Sequence, residues 1–172
     1  MTAVLSKQDI QSLLKKDPPL IEGYIDLENQ LQPNGFDVTL REVALMQSPG
    51  RITTDNDQRL VSNLAPLTFD NMGFIELIAE AYIITVNEIV HLPNNIMALA
   101  KPRSSLLRCG VNIDTAVWDA GYSGRSQSLM VIYNPQGLRL QKNARVMQLI
   151  FLNLTQKTEG YNGTYQEENI DK

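Results

Sequence analysis

Among its 172 residues the chain has one cysteine, Cys109, and one histidine, His91. A single cysteine excludes an intrachain disulfide. The pair is too small for a zinc deaminase, which needs a His/Cys cluster and a Glu. A Ser-His-acid or Cys-His nucleophile would have to recruit His91, and no local signature supports that. Hydrolysis by this chain would therefore rest on a carboxylate, with or without a hard metal such as Mg²⁺. A basic excess is also missing. The formal charge is −4, which argues against a general nucleic-acid binder. A few local cations still suffice for a small polyanion. No apolar run is long enough to span a membrane, and MTAVLSKQDI lacks the apolar centre of a signal peptide. A cytoplasmic location and no membrane partner are expected. The hydrophobic fraction of 43% fills the core of one domain of ordinary size.

Most of the chain is read as strands. Ser6–Lys16 is the exception: Ser6 caps a short amphipathic helix with Asp9 three residues on, and Asp17-Pro18-Pro19 ends it. Strands are expected over 24–31, 36–45, 81–90, 96–100, 111–118, 129–133 and 146–154. Gln32-Pro33-Asn34-Gly35, Leu92-Pro93-Asn94-Asn95 and Asn134-Pro135-Gln136-Gly137 punctuate them. Residues 48–63 read as an exposed loop or hairpin. Many short strands at close spacing indicate an all-β sandwich or barrel. The domain is expected over 1–158, with a polar, flexible arm over 159–172. Cys109 is expected to be a small buried residue.

The chemistry concentrates in KPRSSLLRCGVNIDTAVWDAGYSG, residues 101–124. A helical turn at Ser104–Arg108 would offer free N–H groups beside Arg103, Ser104, Ser105 and Arg108, a set that suits a polyphosphate. The same residues also describe a capped surface turn. Asp119 can accept a proton from an attacking water, or simply cap a turn. Tyr122 can face a sugar or base, or close a strand end. Gln148 sits inside MQLIF, where a buried amide needs a partner, or faces an edge.

PRSSL, residues 102–106, resembles the phosphate-binding signature of the dUTPase and dCTP deaminase family. WDAGYSG, residues 118–124, resembles the same family's signature for a catalytic Asp and a sugar-stacking aromatic. Together, in this order, they are specific; either alone recurs by chance. The resemblance runs over about 32–166, with gaps over 48–74. It implies a distorted jelly-roll barrel, a homotrimer with each site at an interface, and a deoxyuridine nucleotide as ligand. It implies that Arg103, Ser104, Ser105 and Arg108 contact phosphates, that Asp119 activates water, and that Tyr122 packs on deoxyribose. Asn112, Thr115 and Ala116 fall on the base-reading hairpin. Gln32–Asp37 resembles the first motif, whose Asp holds a water on Mg²⁺, here Asp37. Ala144–Leu149 resembles the fourth, whose polar residues, here Arg145 and Gln148, reach the phosphates. Gly160–Gln166 resembles the deaminase-branch tail, which implies nucleotide contacts from Tyr161, Tyr165 and Gln166. Thr164 stands where that tail usually has Lys.

Within the family the deaminases use a Glu about ten residues beyond the Asp. That count lands on Leu129, or on Val131 if the segment is two residues longer, and no Glu lies between Glu88 and Glu159. Asp119 is kept and the deamination acid is lost, so dUTP hydrolysis to dUMP and pyrophosphate is expected. A dCTP deaminase or bifunctional enzyme with a recruited Glu such as Glu88, and a catalytically silent nucleotide-binding trimer, are the alternatives.

Overall fold

A computed structural model describes residues 4–170; residues 1–3, 171 and 172, at the ends of the expected domain and arm, lie outside them. The elements in chain order are α1 (Lys7–Leu13), β1 (Ile21–Glu22), α2 (Leu27–Gln30), β2 (Leu31–Gln32), β3 (Gly35–Met46), β4 (Leu64–Pro66), β5 (Phe74–Leu77) and β6 (Ala81–Val86). There follow β7 (Ile89–His91), β8 (Ile96–Pro102), α3 (Ser104–Arg108), β9 (Val111–Asp114), β10 (Ser123–Gly124), β11 (Gln127–Ile132), β12 (Leu138–Gln141) and β13 (Arg145–Asn153). The largest sheet runs β8-β13-β3-β6-β11-β9. Its two ends, β8 and β9, come back into contact, so it is nearly closed and barrel-like. The fold is all-β and jelly-roll-like.

β3 organises the barrel. Its first half pairs with β13 and its second half with β6, and register shifts in both ladders mark the changeover. A bulge bends a strand and adds twist, which lets one strand serve two walls. Both faces of its first half are covered, and residues 35–40 are all buried. Phe36, Leu40, Ile84, Met130, Met147, Leu149 and Phe151 fill the interior.

α1 is held as its sequence implies: Ser6 and Asp9 form a reciprocal capping box. The strand expected over 24–31 is instead the helical turn α2. The Asp26 carboxylate accepts from the Asn29 backbone and side chain, and the Gln30 amide oxygen accepts from the Ile25 and Asp26 N–H groups. Such local side-chain bonds compete with sheet ladders and win here. The strand expected over 81–90 breaks at Asn87-Glu88, and the one over 111–118 stops at Asp114. β12, unread in the sequence, pairs with β5.

The break at Glu88 has a cause. Its carboxylate is buried, and it accepts from the Thr39 N–H at 2.8 Å, the Thr39 hydroxyl at 2.7 Å and the Gln30 amide at 2.6 Å. Burial pushes its pKa up, against the pull of these bonds. Glu88→Ala orphans three donors at once and is expected to cost about 3 kcal/mol or more. Glu88→Gln keeps an acceptor and is expected to lose about half of that. Denaturant midpoints of the two variants check it.

Candidate active site

The residues expected to hold phosphate gather at the end of β8. Arg103 follows β8 and leads into α3, with its N–H donating to Val146 O. Asp37 on β3 lies opposite Gln148 on β13, which lies opposite Lys101 on β8. The row places one acid, one amide and one cation side by side across three strands. Arg103 Nε is 3.2 Å from Asp37 Oδ2, and Arg145 Nη1 is 3.3 Å from the same oxygen. Arg145 also donates to Asn29 O. Asp37 is buried, and burial pushes its pKa up against the pull of both arginines. Ser104, Ser105 and Arg108 are exposed on α3, where only Leu106 turns inward. Cys109 caps this short helix and is exposed, contrary to expectation, because the helix buries one residue per turn.

Asp119 lies elsewhere. Trp118 is bridged to Ala98 of β8, with N–H to O distances of 3.1 and 2.9 Å. Ala98 precedes Arg103 by five residues, ~16 Å along an extended strand. The turn after Trp118 is fixed by Tyr122 N–H to Asp119 O, Gly121 N–H to Leu92 O and Leu92 N–H to Tyr122 O. Asp119 projects exposed into a cavity of about 430 Å³. Trp118, Tyr122, Tyr161, Tyr165 and Glu168 help to line it. The Tyr122 and Tyr161 rings meet edge-to-face at 5.8 Å. Of the expected base-reading residues, Ala116 lines this cavity, while Asn112 and Thr115 are not among its walls. The Asn112 side chain donates to Asp114 at 2.7 Å.

The arm is laid across the cavity. Tyr161 N–H donates to Ala120 O and Glu167 N–H to Ser123 O, both at 2.7 Å. Gln166, expected on nucleotide, staples the arm to the loop: its Nε2 donates to Gly121 O and its Oε1 accepts from Ser123 N–H. Arg125 donates to Asn169 O and to Asn87 O. Gly121 sits at φ +85°, and a Cβ there would stand 2.6 Å from Gly160 Cα. A larger residue at 121 would therefore hold the arm off.

Sequence reading missed Glu168. It sits in an acidic tail, QEEN, with nothing to single it out, yet it reaches the same cavity as Asp119. Tyr122 Oη donates to Glu168 Oε1 at 2.8 Å. Burial pushes the pKa of Glu168 up, only partly offset by this bond. The folded pKa exceeds the unfolded one, so this contribution to arm docking is full below the ordinary Glu value and fades as pH rises through the raised one. Protection factors of arm amides are expected to fall over that window in the parent protein and to stay flat in Glu168→Gln.

Glu88, the acid considered for deamination, is not a wall of the cavity; it is committed to Thr39 and Gln30. His91 does find a serine and an acid: Nδ1 is 2.7 Å from Ser123 Oγ and Nε2 is 3.3 Å from Glu22 Oε1. Ser123 is not among the walls of the Asp119 cavity, and the three residues tie β1, β7 and β10 into one small sheet. Among the described residues no group of three or more His, Cys, Asp or Glu could hold a metal, and no helix is long and apolar enough to cross a membrane.

The dCTP deaminase-like family model matches residues 4–154. A Methanosarcina mazei protein named probable deoxyuridine 5'-triphosphate nucleotidohydrolase is 50% identical over 170 residues, 98% of this chain and 99% of its own. An Archaeoglobus fulgidus protein of the same name is 48% identical over 169 residues, again 98% and 99%. Among solved structures, the 2'-deoxycytidine 5'-triphosphate deaminase from Agrobacterium tumefaciens superposes with a TM-score of 0.63 at 23% identity, over 88% of this chain and 48% of that one. An EIAV dUTPase gives 0.51 at 16% identity, over 84% and 95%. At such identities the two structures speak for the fold alone. A match over most of the chain, with near-full-length relatives at about half identity, is sufficient: the chain belongs to the dCTP deaminase-like family.

Proposed function

We propose that the chain hydrolyses dUTP to dUMP and pyrophosphate in the cytoplasm, in sites shared between copies of a homotrimer. The observation that carries this reading is the position of Asp119: an exposed carboxylate on the wall of a nucleoside-sized cavity edged by tyrosines. Asp119 takes a proton from water as its oxygen bonds to the α-phosphorus. The bond from that phosphorus to the bridging oxygen breaks, and pyrophosphate leaves. Tyr122 and Tyr161 wall the sugar and Ala116 the base.

In this reading a second copy supplies the phosphate half of the site. Arg103, Arg145 and Asp37 cluster at one end of β8, and Asp119 sits beside Ala98 within the same strand's length. Along the β8 backbone the two positions stand ~16 Å apart. A neighbouring subunit that docks its Arg103 end on the Asp119 cavity completes the constellation, and cyclic symmetry repeats it. Arg103, Ser104, Ser105, Arg108, Arg145 and Gln148 would then face the phosphates.

Mg²⁺ would arrive on the phosphates and keep most of its waters, so one carboxylate suffices to hold it. Asp37 is the acid beside the phosphate cluster and is the residue that would reach it through water. When bound, such an ion offsets charge on the phosphate oxygens.

Glu168 supports a second reading. It is a carboxyl group in the Asp119 cavity, where deamination of a cytosine ring would need an acid. One assay separates the two: incubation with Mg²⁺ and, separately, dUTP, dCTP, dTTP and UTP, with products resolved by chromatography. Conversion of dUTP alone to dUMP is expected. Conversion of dCTP would establish deamination, and four intact nucleotides would leave a binding module.

A further inference from the structure

The segment between β3 and β4 is built to present one side chain. Residues 47–63 leave Ile52 80%, Leu60 54% and Val61 64% exposed, so the excursion does not fold to bury apolar surface on its own chain. It is nevertheless tied to itself. Gln47 N–H donates to Asn63 O, Arg51 and Leu60 exchange both backbone bonds, and Asp55 caps the turn at Asn56–Gln58. Arg51 Nε donates to Gln58 O next to the tip. The tip delivers Arg59 to the arm. Arg59 Nη2 donates to Thr164 Oγ1 at 3.0 Å, and its guanidinium stands 5.6 Å from the centroid of the Tyr165 ring. That distance is within cation–π reach. Tyr165 is a wall of the Asp119 cavity.

The other arm anchors are Ala120, Gly121, Tyr122, Ser123 and Arg125 on the Asp119–Arg125 loop, and Asn94, whose Nδ2 donates to Glu159 O at 3.1 Å. Arg59 reaches the arm from a separate segment, 105 residues away in sequence.

We propose that Arg59 is a positioning residue that clasps the arm over the Asp119 cavity and thereby sets how firmly the cavity retains its nucleotide. Its planar guanidinium does two things at once: it bonds the Thr164 hydroxyl and covers the Tyr165 ring. A lysine reproduces the charge but not the planar fork. The retention half rests on the dUTP reading above; the clasp itself does not.

The test uses full-length protein and two readouts. In Arg59→Ala, amide exchange at 163–168 is expected to rise about tenfold, with β-sheet amides unchanged. KM for dUTP is expected to rise by a similar factor with kcat held within about twofold. Thr164→Val removes only the hydroxyl and should move both readouts in the same direction by less. Arg59→Lys should fall between the parent and Ala. Unchanged arm exchange in Arg59→Ala would overturn the proposal, as would a fall in kcat with KM unmoved. A protein that turns over no dUTP removes the kinetic readout by removing the function; arm exchange then still decides the clasp.

Discussion

Replacing Asp119 by Asn is expected to lower dUTP turnover by about 10²–10⁴-fold, the range contributed by a positioned general base. The amide matches the carboxylate in shape but cannot take the proton of the attacking water. Asp119 is exposed, and its backbone carbonyl, not its side chain, holds the Tyr122 N–H. The fold should therefore be unaffected. Removing a negative charge beside a triphosphate also removes a repulsion, so affinity for dUMP or for an imido analogue of dUTP should hold or improve. Single-turnover rates with calorimetric binding separate the two effects. Turnover near the parent rate in Asp119→Asn would remove Asp119 from the chemistry.

The second large effect is expected at Arg103. Its guanidinium pairs with Asp37 in the folded chain and stands at the head of PRSSL. Arg103→Ala removes a charge-assisted donor to phosphate, an interaction of about 1.5–3 kcal/mol. It also leaves buried Asp37 to Arg145 alone. A fall in kcat/KM of about 10–10²-fold follows, carried mainly by KM. Arg103→Lys keeps the charge and loses the fork, so it should recover stability more than activity. Thermal midpoints beside kcat/KM distinguish lost phosphate binding from a loosened β3–β8 end.

How far the chain is legible depends on the kind of interaction. The helix at Ser6 was readable because capping chemistry is local; the turn at Ser104–Arg108 has no side-chain cap bond and was readable only through its motif. The two motifs were readable because their residue types are uncommon together. Their separation was not, since it depends on Trp118 bridging back to Ala98. The α2 turn was lost to side-chain bonds from Asp26 and Gln30 that leave no periodic trace. Gln166 and Glu168 show the limit most clearly: their partners, Gly121, Ser123 and Tyr122, lie more than forty residues away. In sequence they are two polar residues of an acidic tail.

The central claim is that dUTP is hydrolysed in a site whose Asp119 and Arg103 come from different copies. It is tested most directly by mixing two crippled proteins. Asp119→Asn and Arg103→Ala subunits with different tags are co-expressed, and oligomers carrying both tags are isolated. Each site then draws Asp119 from one copy and Arg103 from the next, so a cyclic trimer carrying both tags has both intact residues in one of its three sites, about a third. The account predicts dUMP formation, measured at dUTP well below the parent KM, recovering to about that share of the parent rate, from variants that each retain about a tenth of it or less. Doubly tagged oligomers that stay as inactive as either variant alone would contradict it.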